Sequence, residues 1–363
     1  MSGGGVRRLQ ARRNEIKRIG VFKLRYIGDT LLMTPALEAL KAAWPEAAIT
    51  AVVTKGTEPV LVNHPAVDEI IPIDRTAPFK DYVKSMGQVR RRAFDLAIDF
   101  TGADRSAVLA FWSGAPIRAG YTGRNVIRNR FLYNVRVSPD VRTMHQVEFH
   151  LALTEALGVP SVSRSPKIVL TADEMDAADR VLSQVRIPPY EPFVVMHPGA
   201  RRWYKSWPLQ RFAQLGDRVS RELGLPVLLT GGAGDVAAVE TIRSTMTAPC
   251  VSLAARLNLR ELVGVLARTA LCVGNDSGPM HMAAAVGAPT VSLFGLTDPI
   301  RWAPRGGPSH VISRECPCRP YGHRRECPEG ENHCMRKISV EEVFDAARSL
   351  LAPRLSTAAT GIS

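Results

Sequence analysis

Several stretches of the chain carry residue types that can do chemistry on an anionic substrate. The first spans 24–30 (LRYIGDT), where Asp29 follows Gly28 at the expected start of a helix. Asp29 there serves either as a helix cap or as a carboxylate that takes the proton of an acceptor hydroxyl, and the two roles are compatible. A second, 197–208 (HPGARRWYKSWP), sets Arg201, Arg202 and Lys205 on one loop, where they can neutralise phosphate or form a generic basic surface. A third, 274–289 (GNDSGPMHMAAAVGAP), runs from a strand end through a small-residue turn into an alanine-rich helix. The backbone N–H groups at Ser277, Gly278, Pro279's neighbours and Met280 would make an anion site reinforced by the helix dipole. Asp276 is the expected cap of that helix, and His281, one turn in, donates to a phosphate or simply packs. In 231–235 (GGAGD), Asp235 either accepts from a ribose hydroxyl or caps a tight turn.

A cysteine cluster is the remaining candidate. Cys316, Cys318, Cys327 and Cys334 are interleaved with His323 and His333. The ligand count suffices for zinc, but the spacing is not the paired C-x-x-C form, and free thiols explain it as well. Cys250 and Cys272 fall in expected strands as small apolar residues.

These residues need a scaffold that brings strand ends to one edge. Short apolar runs alternate with amphipathic stretches, the rhythm of βα units on parallel sheets. Strands are expected at 18–24, 49–54, 69–73, 96–100, 118–121 and 131–137, with helices at 30–43, 79–92 and 145–157. A Ser, Pro and Val-rich passage near 158–170 marks a boundary, and the alternation restarts. Helices then fall at 172–185, 209–223, 236–246, 259–268, 278–286 and 340–351, and strands at 193–196, 227–230, 250–253, 271–273 and 290–294. The expected organisation is an α/β chain of two doubly wound, Rossmann-like domains, 1–165 and 166–352, facing a central cleft, with a disordered tail over 353–363. In open sheets of this kind ligands bind outside the carboxyl ends of the strands. Neither GxGxxG nor GxxxxGK[ST] is present, so neither a dinucleotide fingerprint nor a Walker loop is expected.

Composition narrows the classes. The 363 residues are 45% hydrophobic and 22% charged, ordinary for a folded protein, and two domains suit that length. There is no apolar run long enough to span a bilayer and no apolar segment near the start of the kind a secretory signal needs, so a cytoplasmic location is expected. The net charge of +13 favours anionic partners. The excess concentrates in 7–25 (Arg7, Arg8, Arg12, Arg13, Lys17, Arg18, Lys23, Arg25) and in 118–142 (Arg118, Arg124, Arg128, Arg130, Arg136, Arg142). A solvated basic surface or an anionic membrane face accounts for it. Nucleic acid is not expected, because no stacking or recognition motif accompanies the charge.

Taken together and in order, RYIGDTLLMTPALEALK, HPGARRWYKSWPLQRFAQL, LTGGAGD and GNDSGPMHMAAAVGAPTVSLFGLTDPIRW resemble the ADP-heptose:lipopolysaccharide heptosyltransferase family. RYIGDTLLMTP and TDPIRWAP look most like the heptosyltransferase III type. The resemblance implies a GT-B fold and an inverting transfer of heptose from ADP-L-glycero-D-manno-heptose to the inner core on lipid A, at the inner face of the inner membrane. It implies Asp29 as the base and Lys205 at the diphosphate, joined by Ser277 and Gly278, with His281 nearby. Asp235 and Asp276 would hold the nucleotide or donor sugar. No cofactor and no catalytic metal are implied. Two other readings stay open: another GT-B enzyme with a different donor or an epimerase activity, and a two-domain binder of phosphorylated ligands that does no chemistry.

Overall fold

The computed structural model describes residues 9–76, 78–122, 131–140, 143–188, 191–315 and 333–360. The chain divides into two compact units, Met1–Val169 and Leu170–Ser363.

Unit 1 is built on six parallel strands: β1 (Arg18–Lys23), β2 (Ala48–Thr54), β3 (Glu69–Ile73), β4 (Leu96–Asp99), β5 (Ile117–Tyr121) and β6 (Val135–Val137). They lie in the order β3-β2-β1-β4-β5-β6. After β1 come α1 (Ile27–Leu31) and α2 (Thr34–Ala43), then α3 (Phe79–Arg91), α4 (Asp104–Trp112) and α5 (Gln146–Glu155). Strand β1 is buried from Ile19 to Lys23, as expected of a central strand covered on both faces. On one face Phe22, Val52, Phe94, Ala97 and Leu109 form a continuous apolar core.

One continuous helix over 30–43 is not what forms. The first helix starts earlier, at Ile27, and a second begins at Thr34 with Pro35 in its first turn. Proline has no N–H to continue the ladder from α1, and its ring would meet the carbonyl four residues back. Gly28 and Asp29 therefore sit inside the first turn of α1. The residue at the cap position is Tyr26, so Asp29 is not the cap. Helix α4 was not expected, because its exposed Phe111 and Trp112 blur the amphipathic period.

Unit 2 repeats the plan with β7 (Val194–His197), β8 (Val227–Leu229), β9 (Cys250–Ser252), β10 (Leu271–Asn275), β11 (Thr290–Phe294) and β12 (Ser309–Ser313), all parallel, in the order β12-β11-β10-β7-β8-β9. The helices are α6 (Ala172–Gln184), α7 (Leu209–Leu223), α8 (Val236–Thr245), α9 (Leu259–Arg268), α10 (Gly278–Ala285), α11 (Pro299–Trp302), α12 (His333–Arg336) and α13 (Val340–Thr360). Val194, Met196, Trp207, Phe212, Leu293 and Phe344 anchor its core; each large apolar side chain so buried contributes roughly 1.5–3 kcal/mol. The half-polar edge strand β12 escaped the sequence pattern. Helix α13 continues to Thr360 through Pro353, where a helix end at 351 and a disordered tail were expected. The residues after Pro353 include good helix formers, Arg, Leu and two Ala, which favour continuation. Residues 361–363 lie outside the described part. No helix among the described residues is long and apolar enough to cross a membrane.

Candidate active site

Both sheets reverse strand order at their centre, between β1 and β4 in unit 1 and between β7 and β10 in unit 2. The crevice outside the carboxyl ends at such a reversal is where open α/β sheets bind ligands. Asp29 follows β1, and Lys205, Asp276 and Ser277 lie at the β7–β10 reversal, while Asp235 follows the neighbouring β8.

In unit 2 the loop after β7 folds into a single turn, Trp203–Lys205, and swings Lys205 across to β10. Its Nζ donates to Asp276 Oδ2 at 2.6 Å. The placement is enforced by Asn275, the last residue of β10, which is fully buried. Its Oδ1 accepts from Trp207 N at 3.0 Å and its Nδ2 donates to Pro198 O at 2.7 Å, so one side chain ties both ends of the loop to the strand. Gly274 serves the same close approach: a Cβ there would lie 2.7 Å from the carbonyl oxygen of His197.

Asp276 is not the cap of α10, as the sequence suggested. That position belongs to Ser277, whose side chain makes no capping bond, while the Asp276 carboxylate is turned to Lys205. Ser277 Oγ is buried without a hydrogen-bond partner among the described residues. The turn at Ser277 and Gly278 and the start of α10 thus follow directly on the Lys205–Asp276 pair, with backbone N–H groups free to meet an anion. His281 is buried on the same helix. Arg201 and Arg202 are exposed on the neighbouring loop.

Asp235 lies at the end of the loop after β8. It occupies the cap position of α8, but its side chain makes no cap bond to that helix and accepts instead from Gly232 N at 2.9 Å. Its other neighbour is the HPG loop: a Cβ on Gly199 would come within 2.6 Å of Asp235 Oδ2 and 2.8 Å of His197 Nε2. His197 is buried, its Nδ1 lies 3.1 Å from Thr230 Oγ1, and burial lowers its pKa to about 4 against a smaller opposing pull from Asp235.

In unit 1 Asp29 is largely shielded, and its Oδ1 lies 3.7 Å from Lys23 Nζ. Lys23, counted by composition with the basic surface of 7–25, is instead 2% exposed. It ends a central strand, so its side chain goes into the layer between sheet and helix. Arg118 is likewise committed within the fold, donating to the carbonyls of Leu132 and Ala115 at 2.8 Å. Arg7, Arg8, Arg124, Arg128, Arg130 and Arg142 lie outside the described residues, as do Cys316, Cys318, His323 and Cys327. Cys334 is buried, and the described residues include no His, Cys, Asp or Glu grouping that could hold a metal ion.

The profile of glycosyltransferase family 9 (heptosyltransferase) matches residues 83–333, more than half of the chain. The chain belongs to this family. Lipopolysaccharide heptosyltransferase 3 of Escherichia coli K12 is 29% identical over 293 residues, which cover 77% of this chain and 83% of the relative. The solved structure of a family 9 glycosyltransferase from Veillonella parvula superposes with a TM-score of 0.81 at 26% identity, over 93% of this chain and 97% of that one. The ADP-heptose lipopolysaccharide heptosyltransferase II of Escherichia coli shares the fold, with a TM-score of 0.77 at 24% identity over 93% of this chain and 99% of that one. This family 9 glycosyltransferase accordingly has the GT-B fold, one doubly wound sheet in each unit. The family profile begins after Asp29 and Lys23, so their place in the heptosyltransferase rests on the geometry of unit 1.

Sequence reasoning passed over Lys23, His150, Asn275 and His197. A lysine inside the apolar run RIGVFKL was the available signal for the first, since a buried charge needs a partner. Most partners of the others lie tens of residues away and leave no local pattern, although His150 also meets Gln146 one turn back.

Proposed function

We propose that this heptosyltransferase moves heptose from ADP-L-glycero-D-manno-heptose to the inner core of lipopolysaccharide, with inversion, as the III type does. The observation that carries the reading is the meeting of Lys205, Asp276 and the Ser277–Gly278 turn at the reversal of the unit 2 sheet. A sugar nucleotide that loses its diphosphate gains negative charge on the leaving oxygen. An ammonium and a helix N-terminus stabilise that charge more as the bond breaks, which lowers the barrier. The names of the relatives above supply the donor and acceptor classes.

In the proposed reaction the acceptor oxygen forms a bond to the anomeric carbon on the face opposite the diphosphate. The bond from that carbon to the diphosphate oxygen breaks, and ADP leaves with the electron pair. Asp29 of unit 1 takes the hydroxyl proton. In unit 2 Lys205 holds the diphosphate together with Ser277, Gly278 and His281, and Asp235 and Asp276 orient nucleotide or sugar. No metal or cofactor takes part, since the lysine and the helix supply the positive charge. The enzyme works in the cytoplasm at the inner membrane, its basic residues meeting anionic lipid and a phosphorylated acceptor.

Asp29→Asn tests the division of labour. Asn cannot accept the proton, so turnover should fall at least a hundredfold, in the range typical of a lost general base. ADP affinity, a property of unit 2, should stay within twofold of wild type. Retention of most of kcat would remove Asp29 from the mechanism.

A further inference from the structure

Behind Asp29 lies a buried polar cluster that the proposed reaction does not yet use. Lys23 Nζ donates to the carbonyl oxygen of Phe100, just past β4, at 3.0 Å. It also lies 2.9 Å from Nε2 of His150 on α5. The other ring nitrogen, Nδ1, faces the carbonyl oxygen of Leu32 at 3.1 Å. A carbonyl can only accept, so Nδ1 carries the imidazole hydrogen and Nε2 is left as an acceptor. The Gln146 amide nitrogen approaches that same Nε2 at 3.0 Å. His150 is therefore neutral, and both its neighbours at Nε2 are donors. Phe100 O likewise only accepts, so Lys23 is the donor to both.

A buried ammonium is costly unless it is hydrogen-bonded and paired with an opposite charge. Phe100 and His150 satisfy the first condition. Asp29 Oδ1, at 3.7 Å, is the carboxylate that meets the second. The other buried carboxylate near this edge, Asp99, is occupied elsewhere: it accepts from Ser106, Tyr133 and the N–H groups of Thr101 and Gly102. Among the described residues the ammonium thus meets a carboxylate, an imidazole and a carbonyl. They come from α1, α5 and the loop after β4, all within unit 1.

We propose that Lys23 is the positioning residue of Asp29: clamped by Phe100 O and His150 Nε2, its ammonium holds the carboxylate in one orientation. This rests on the reading of Asp29 as the base. Held 3.7 Å from the carboxylate, the ammonium limits the orientations open to it, so loss of the lysine should let Asp29 turn away from the acceptor hydroxyl. His150 acts one step further back. By accepting from Lys23 it keeps the ammonium from turning away.

The test is kcat and KM of the full-length enzyme with donor and acceptor, for wild type, Lys23→Met, Lys23→Arg, His150→Leu, Asp29→Asn and the Lys23→Met/Asp29→Asn double variant. Thermal melts on the same samples establish which are folded. Lys23→Met should lower kcat at neutral pH about tenfold or more, with the donor KM within twofold. Lys23→Arg, which keeps the charge, should recover part of that loss. A merely structural lysine would lower Tm and kcat together and leave Lys23→Arg no faster than Lys23→Met. His150→Leu should lower kcat in the same direction by less, and it carries the test if Lys23→Met does not fold. The double variant should be no slower than Asp29→Asn alone, because the lysine acts through the carboxylate. If Asp29→Asn is inactive while folded Lys23→Met or His150→Leu keeps the wild-type kcat, the positioning role is overturned and the base survives. If Asp29→Asn keeps its turnover, the base reading itself falls and the positioning role with it.

Discussion

Lys205 and Asp276 neutralise one another at 2.6 Å. A diphosphate arriving at this corner therefore competes with Asp276 for the lysine, or shares it. Without the lysine the aspartate would face the diphosphate as a like charge. Lys205→Met should accordingly lose on the order of 10²–10³ in kcat and bind ADP more weakly. Lys205→Met/Asp276→Asn, which also removes the repulsion, should recover part of the ADP affinity. Wild-type turnover should be unchanged in excess chelator. ADP affinity equal to wild type in Lys205→Met would detach the lysine from the diphosphate. The places of Asp276 and Ser277 were legible because each is a polar residue just past an apolar run, where a strand end must be, and Lys205 and Asp235 lie on loops that leave such strand ends. Their partners were not. That Asp276 meets a lysine 71 residues away, rather than capping its own helix, depends on β7 and β10 being neighbours. Lys23 was misplaced for the opposite reason: counting charge says nothing of which side of a strand the charge is on.

At the scale of elements, the alternation of apolar runs with amphipathic stretches was enough to find most strands and helices, because parallel strands covered on both faces read as continuous apolar segments. It failed where burial is one-sided or local chemistry intervenes. Strand β12 lies at a sheet edge with a largely polar sequence, and Pro35 splits what a hydrophobic period alone joins. The ends of β7 and β8 also store a pH dependence. Burial lowers the pKa of His197 from 6.5 to about 4, and that of His64 in unit 1 to about 4 as well. Between those values the unfolded chain binds protons that the folded chain does not, so stability rises with pH across the window and is lost as pH falls from 6.5 towards 4. The full gap at His197 corresponds to roughly 3 kcal/mol. Thermal melts from pH 7 to pH 4.5 should show a falling Tm, and His197→Asn should flatten the slope by about half. A slope unaffected by His197→Asn would mean the histidine is protonated in the native state.

Over the whole molecule the charge of +13 is the property most relevant to where the enzyme works. Part of the basic stretch near the start is already engaged within unit 1. Arg13 lies over the Trp44 ring at 5.1 Å, and Arg12 pairs with Glu15 at 2.6 Å. Replacing Arg7, Arg8 and Lys17 with Ser spares those contacts. At about 1 kcal/mol per basic residue near an anionic surface, the triple variant should bind anionic vesicles on the order of 100-fold more weakly. Wild-type binding should vanish near 1 M salt, where the Debye length shrinks to about 3 Å, and should be weak on neutral vesicles at any salt. Equal binding to neutral and anionic vesicles would contradict an electrostatic attachment.

The central claim is transfer of a heptose from an ADP-linked donor, and product mass tests it most directly. The purified protein would be incubated with ADP-L-glycero-D-manno-heptose and a panel of truncated core acceptors, and both acceptor mass and ADP would be followed. One acceptor should gain the mass of a single heptose, with one ADP released per product and no release when the acceptor is omitted. Binding of ADP without any product across the panel would contradict it and leave a binder of phosphorylated ligands instead.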